Sequence, residues 1–184
     1  MDIYHKKDTL LKKKEIISKI KSGAVFIHPT DTIYGLGCLA DNEKAVAKIR
    51  KLKQRPDTPL SIWVPSVAWI KENVEIDAKT LKKIPGPYTI IARLKKKVLA
   101  KNVNPQGDTQ GIRYPEHWFA QIVAELGKPI ITTSVNKHNQ PYMASLEDID
   151  KDILTEIDFI IYEGKKRGKP STIINVVEGT VKER

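Results

Sequence analysis

Cysteine is almost missing from this chain of 184 residues: Cys38 stands alone, which excludes an intramolecular disulfide and any cysteine-rich metal site. Histidine is scarce as well, and His5, His28, His117 and His138 show none of the close spacings that metal ligation needs. Nowhere do about 18 apolar residues run together, the length from which a membrane-spanning helix is read. The first residues also lack an apolar core of the signal-peptide kind. The expectation is a soluble cytoplasmic protein with no membrane contact. Acidic residues are the minority, 22 against 32 Lys and Arg, leaving a net charge of +10. Such a surplus favours phosphate-bearing partners, nucleotides or RNA. A lysine-rich surface also serves solubility or heat tolerance alone, so charge does not choose between these. Hydrophobic residues make up 40 %, enough for a real core, and no repeat or low-complexity linker divides the chain. Residues 1–184 are read as one domain.

The most informative stretch is Ala24-Val-Phe-Ile-His-Pro-Thr-Asp-Thr-Ile-Tyr-Gly-Leu-Gly-Cys38. Its apolar start reads as a buried strand over 24–27, stopped at Pro29, which has no N–H for a sheet ladder. Thr30, Asp31, Thr32 and Tyr34 then place hydroxyls and a carboxylate beyond the strand's carboxyl end, where ligands of open α/β sheets settle. Gly35 and Gly37 permit a tight turn or a close approach to a ligand. Taken alone, the segment is equally an ordinary strand-to-helix loop.

Helices and strands alternate along the rest. Leu10, Leu11, Ile16, Ile17 and Ile20 follow helical spacing up to Gly23, and Asp41 is placed to cap a helix reaching Lys53. Ser66 starts a helix, a shorter one ends at Ile84, and Pro115 is placed as a first-turn proline. Strands are expected over 60–64, 88–94, 111–113, 129–133, 158–162, 172–176 and 180–182. The fold class predicted is α/β, a single-domain twisted mixed sheet with helices.

Three further loops are polar. Lys53-Gln-Arg55-Pro56 carries two cations at a helix end stopped by proline, a compact charge and a planar fork that together suit a polyphosphate. Cations at a helix C-terminus also simply complement its dipole. Ile131-Thr-Thr-Ser-Val-Asn136 ends a strand in hydrogen-bonding side chains, and Pro170-Ser-Thr-Ile173 enters one through two hydroxyls. Capping and turn chemistry account for either one separately.

Pro-Thr-Asp-Thr-Ile-Tyr-Gly-Leu-Gly, Lys-Gln-Arg-Pro, Pro-Gly-Pro-Tyr-Thr, Ile-Arg-Tyr-Pro, Thr-Ser-Val-Asn and Pro-Ser-Thr-Ile-Ile together resemble the ordered signatures of the YrdC/TsaC family, from about Leu10 to Arg184. The resemblance implies a YrdC-like fold with a basic concave surface. It implies the synthesis of threonylcarbamoyl-AMP and pyrophosphate from L-threonine, bicarbonate and ATP, with Mg²⁺ held mainly by the phosphates and no metal ligand from the protein. The product would pass to a threonylcarbamoyltransferase acting on tRNA, and tRNA or double-stranded RNA is a further partner. Carried over position by position, Lys53 and Arg55 would hold ATP phosphates, with Thr109, Ser134, Asn136 and Arg184 also at the nucleotide. Arg113 would pair with the threonine carboxylate, and Thr32, Thr132 and Ser171 would contact its other polar groups. No nucleophile or base is assigned, because the substrates can attack one another in sequence.

Departures from the family pattern accompany these matches. Asp31 replaces a common glutamate, the loop after Arg55 is short and carries Asp57 and Thr58, and Trp63 stands where some members have a threonine-contacting histidine. Lys137 to Tyr142 and Asn175 also differ. They keep an alternative open, a diverged YciO-like paralogue that binds RNA or nucleotide without the synthase activity.

Overall fold

The computed structural model describes residues 1–183, and Arg184 lies outside them. The chain opens with a short strand, β1 (Asp2–Tyr4), and two helices, α1 (Lys6–Leu11) and α2 (Lys13–Lys21). One helix is expected there, but Lys12 leaves helical geometry and breaks it. Next come β2 (Phe26–His28), β3 (Gly35–Gly37) and α3 (Glu43–Lys53). The cap of α3 is Asn42, not Asp41: its side chain accepts the Ala45 N–H at 3.0 Å. The middle of the chain runs β4 (Ile62–Trp63), α4 (Val67–Asn73), α5 (Ala78–Leu81), β5 (Tyr88–Arg93) and β6 (Thr109–Arg113). Ser66 caps α4 as expected, accepting from Trp69 N. Then follow α6 (Ala120–Leu126), β7 (Ile130–Ile131), β8 (Thr133–Ser134), α7 (Lys151–Glu156), β9 (Phe159–Ile161), β10 (Thr172–Asn175) and β11 (Thr180–Lys182). Pro115 opens no helix; α6 begins five residues later, at Ala120.

The strands form two mixed sheets rather than one. The first is ordered β1-β9-β2-β3-β8 and the second β11-β10-β5-β6-β4-β7. The predicted strand over 129–133 is in fact split between them. Ile130 and Ile131 pair with β4, Thr133 and Ser134 pair with β3, and Thr132 is the residue at which the chain changes sheets. Its N–H donates to Ser61 O at 2.9 Å, while Ile131 N donates to Cys38 O at 2.8 Å. The seam is therefore hydrogen-bonded on both sides. Ile27, Leu36 and Ile160 of the first sheet share one buried cluster with Ile62, Ile90, Ile112 and Ile131 of the second. Each such side chain contributes roughly 1.5–3 kcal/mol when fully buried. Common packing fixes the two sheets against each other.

A second cluster sets Phe26, Trp63 and Phe119 around the ring of His28, with Phe159 stacked on Phe26. His28 stacks on Phe119 with ring centroids 5.5 Å apart and 10° between planes. Burial pushes its pKa down to about 3, so the imidazole is neutral. This ring explains Gly35, where a β-carbon would stand 2.6 Å from His28 Cε1. The glycine makes room for an imidazole inside a sheet, rather than for the tight turn expected from the sequence.

Candidate functional site

A cavity of about 390 Å³ opens where the two sheets meet. The 30–34 loop and Gly35 wall one side. The segment from Arg55 to Ser61, β5, β6 and β10 supply the floor and the other side, and Thr132, Thr133 and Ser134 close it at the seam. Of the ten residues expected at a site, seven line it: Thr32, Arg55, Thr109, Arg113, Thr132, Ser134 and Ser171. Lys53 and Asn136 do not, and Arg184 lies outside the described residues. Thr58, Tyr142 and Asn175, all at positions of departure from the family pattern, are in the wall. Trp63 is not: it is fully buried beneath, 5.7 Å from His28 and 5.6 Å from Phe119 between ring centroids.

One end of the cavity is built around Arg113, which is 5 % exposed at the end of β6. Its Nη2 lies 2.6 Å from Asp31 Oδ1 and donates to Thr32 Oγ1 at 3.2 Å. The turn that presents Asp31 is held by Thr30, whose hydroxyl donates to Ile33 O at 2.8 Å and accepts Thr32 N–H at 3.1 Å. Burial raises the pKa of Asp31 although the Arg113 guanidinium pulls the other way. Beside this pair, Thr89 and Ser171 hydroxyls lie 2.7 Å apart. This end is therefore a cation already matched by one carboxylate and ringed with hydroxyls. Asp31 carries a role that the sequence reading missed; its proximity to Arg113 depends on β2 and β6 coming from different sheets.

The other end is built around α3 and holds cations with no anion paired to them among the described residues. The helix stops not at Pro56 but at Gln54, which adopts a left-handed conformation (φ 52°). Arg55 follows, and its guanidinium meets the cavity with no hydrogen bond or ion pair among the described residues. Its loop is held from behind by Arg50, another residue the sequence reading missed. Arg50 Nη1 donates to the carbonyls of Arg55 (2.9 Å), Pro56 (2.8 Å) and Thr58 (3.0 Å). Its Nη2 and Nε reach Val103 O (3.0 Å) and Asn102 O (2.5 Å). Lys53 is 1 % exposed. Its ammonium donates to Ser134 O (2.5 Å), Asn136 O (2.9 Å) and Asn136 Oδ1 (2.8 Å). Ser134 Oγ donates to that same Asn136 Oδ1 at 2.6 Å. Two buried cations thus fold the two loops that border this end. Nothing in the local sequence separates these roles from solvent-facing ones.

A strap from Glu163 to Pro170 covers the outer side of the 30–34 loop. Tyr34 hydroxyl donates to Gly164 O (2.7 Å), and Lys166 Nζ donates to Thr30 O (2.7 Å). Gly168 passes so close that a β-carbon there would lie 2.3 Å from Thr32 O. Burial alone would raise the pKa of Glu163. Hydrogen bonds from His117, Lys166 and Trp118 instead bring it down to about 2.

Fold and site together define a mixed α/β protein with a polar cavity at a sheet junction, one cationic end paired with a carboxylate and the other, among the described residues, not. Comparison with known proteins narrows this class. The family model for Sua5, YciO and YrdC, described as "Telomere recombination", matches residues 18–183, and the chain belongs to that family. A Methanocaldococcus jannaschii relative with the provisional name threonylcarbamoyl-AMP synthase is 38 % identical over 176 residues, covering 92 % of this chain and 80 % of the relative. A Pyrococcus abyssi threonylcarbamoyl-AMP synthase is 34 % identical over 167 residues, covering 86 % of this chain and 49 % of the relative, so the chain spans about half of that protein. The crystal structure of P. abyssi Sua5 complexed with L-threonine superposes with a TM-score of 0.85 at 28 % identity, over 98 % of this chain and 55 % of that one. No helix among the described residues is long and apolar enough to cross a membrane.

Proposed function

We propose that the protein is a threonylcarbamoyl-AMP synthase, forming threonylcarbamoyl-AMP and pyrophosphate from L-threonine, bicarbonate and ATP. The observation that carries this is the polarity of the cavity. A neutralised Arg113–Asp31 end suits a small zwitterion, and the Arg55 end, with no anion among the described residues, suits a polyphosphate. In this reading Arg113 holds the threonine carboxylate as a planar fork, with Thr32, Thr132 and Ser171 around the remaining polar groups. Arg55 meets the phosphates directly, while Thr109, Ser134 and Asn136 border the nucleotide, Lys53 supports it from behind, and Arg184 is a further nucleotide contact. Names of the relatives and the threonine bound to one of them support the same assignment.

The chemistry then needs no protein nucleophile. Bicarbonate takes up a proton and loses water to give CO₂. The threonine amine attacks that carbon, one C=O π bond opens onto its oxygen, and the amine's proton passes to solvent, giving a carbamate. A carbamate oxygen attacks the α-phosphorus, and the bond to the β-phosphate oxygen breaks to release pyrophosphate. The protein contributes proximity and cationic stabilisation of charge on the phosphates. No carboxylate is among the described residues that line the cavity, so in this reading Mg²⁺ would arrive on the triphosphate. A cytoplasmic setting, a threonylcarbamoyltransferase that takes the product, and tRNA or double-stranded RNA on the basic surface belong to the same proposal.

The deciding experiment measures pyrophosphate release from ATP with and without threonine and bicarbonate, with mass spectrometry of the adenylate formed. Release that requires both co-substrates, together with threonylcarbamoyl-AMP, is the expected result. ATP binding without any adduct would favour the YciO-like alternative.

A further inference from the structure

Lys53 is buried, and among the described residues its amine is surrounded by neutral acceptors. Its ammonium reaches two backbone carbonyls and the Asn136 amide oxygen within 2.9 Å, with Ser134 Oγ at 3.5 Å. No carboxylate pairs with it among the described residues. The groups facing it compound the problem. Arg55, two residues on, is a second cation, and Arg50 lies one turn back on the same helix. From the seam come only the Ser134 hydroxyl and the Asn136 amide, and His138 touches it through a backbone N–H on Lys53 O at 3.0 Å. Lys137 of that loop turns away to Asp150 and Asp152. Asp57, the carboxylate of the Arg55 loop, acts on Arg50 rather than on Lys53. Ser134 and Arg55, on either side of it, both line the cavity.

We propose that Lys53 is a positioning residue whose uncompensated ammonium shapes the edge formed by Ser134 to Asn136, and that seating a polyphosphate against this edge draws a proton from solvent onto its amine. The inference rests on the nucleotide reading of the cavity. In the ligand-free protein, burial and the Arg55 charge bring the Lys53 pKa down to about 7, so near neutrality part of the population holds a neutral amine. A triphosphate at Arg55 supplies the missing negative charge, favours –NH₃⁺, and so locks the loop that borders it. The proton comes from water or buffer, and no other bond changes.

Calorimetric titration with ATP at about pH 8.5, in two buffers of different ionisation heat, measures the proton uptake directly. At least about half a proton per ATP is expected for the wild type, with affinity falling by up to about tenfold per pH unit above about pH 7. Lys53→Arg, which stays charged, and Lys53→Met, which carries no charge, should both bind ATP with no uptake. Far-ultraviolet circular dichroism shows which of the two keeps the fold, and either suffices. ATP binding with less than about 0.1 proton taken up by the wild type, or undiminished uptake in Lys53→Met, overturns the proposal while leaving the nucleotide site standing. Absence of any ATP binding overturns the nucleotide reading itself, and this proposal with it.

Discussion

The two ends of the cavity carry the same kind of charge and treat it in opposite ways. At the Arg113 end the guanidinium has a carboxylate 2.6 Å away, so a ligand meets a nearly neutral, hydrogen-bonding surface. At the α3 end Arg50, Lys53 and Arg55 have no carboxylate in contact among the described residues, and the first two are satisfied by carbonyl and amide oxygens. Backbone acceptors relieve the cost of burying a cation without cancelling its charge. The net field therefore survives for a ligand. The contrast teaches that hydrogen-bond satisfaction and charge compensation are separate variables, and the proposed assignment of a zwitterion to one end and a polyanion to the other rests on that difference.

The sharpest way to break this comparison is to remove the uncompensated end. Lys53→Ala with Arg55→Ala should lower ATP turnover at least about a hundredfold, since charge-assisted contacts to a charged group contribute roughly 1.5–3 kcal/mol each. Steady-state pyrophosphate release checks it, and a loss under tenfold would mean the cations are structural only.

Next in size is a pH effect on the ligand-free protein. The folded pKa of Lys53, about 7, lies below its ordinary value of 10.5, so between these the unfolded chain binds more protons. The penalty is full below about pH 7 and fades as pH rises towards 10.5. Urea unfolding should show the wild type gaining on Lys53→Met by about 2 kcal/mol between roughly pH 7 and pH 9. An unchanged difference would indicate that Lys53 has a counter-charge after all.

Arg113→Lys keeps the charge at the neutralised end and loses the planar fork. The threonine KM should rise about tenfold, roughly 1.4 kcal/mol, with ATP KM and melting temperature little altered. If ATP dependence shifts instead, the two ends have been assigned the wrong way round. Asp31→Asn would convert the neutralised end into an uncompensated one. Sulfate should then compete with threonine about threefold more strongly, about 0.7 kcal/mol. An inhibition constant equal to that of wild type would show that Asp31 does not set the charge of this end.

The smallest effect belongs to a control. Lys12, at the break between α1 and α2, lies over the Tyr4 ring, and Lys13, at the start of α2, pairs with Glu125; neither lines the cavity. Exposed pairs of this kind contribute ~0–1 kcal/mol to stability. Lys12→Ala with Lys13→Ala should change turnover by less than about twofold. A loss matching that of the Lys53 and Arg55 pair would reduce the site to bulk basicity.

Much of this was legible in the chain. The hydroxyl-rich ends after 24–27 and at 131–136, the Lys-x-Arg pair and Arg113 stand out because strand-then-polar patterns are local and periodicity is a short-range signal. Element type held for α3, α4, β5, β10 and β11 for the same reason. The far end of α3 fell at Lys53 as expected, while single residues went elsewhere: the cap is Asn42 rather than Asp41, and the chain is turned by Gln54 before Pro56 is reached. Gly35 and Gly37 read as a tight turn or a close approach to a ligand. They form a strand instead, which has no propensity signal and exists because His28 fills the space their side chains would need, and Gly35 does line the cavity.

The sequence by itself determined which chemical groups are available: ordered polar loops, a surplus of lysine and arginine, and motifs distinctive enough to name a family. Only the tertiary structure decided what each group does. Whether a cation is a cavity-facing charge like Arg55, a loop-holder like Arg50 and Lys53, or a partner of Asp31 like Arg113 depends on neighbours from far along the chain. Those neighbours are brought within hydrogen-bond reach where the chain crosses from one sheet to the other at Thr132. Charge and propensity are properties of a residue and its near neighbours. Compensation of that charge depends on distances under 4 Å between segments some 80 residues apart, which folding alone sets.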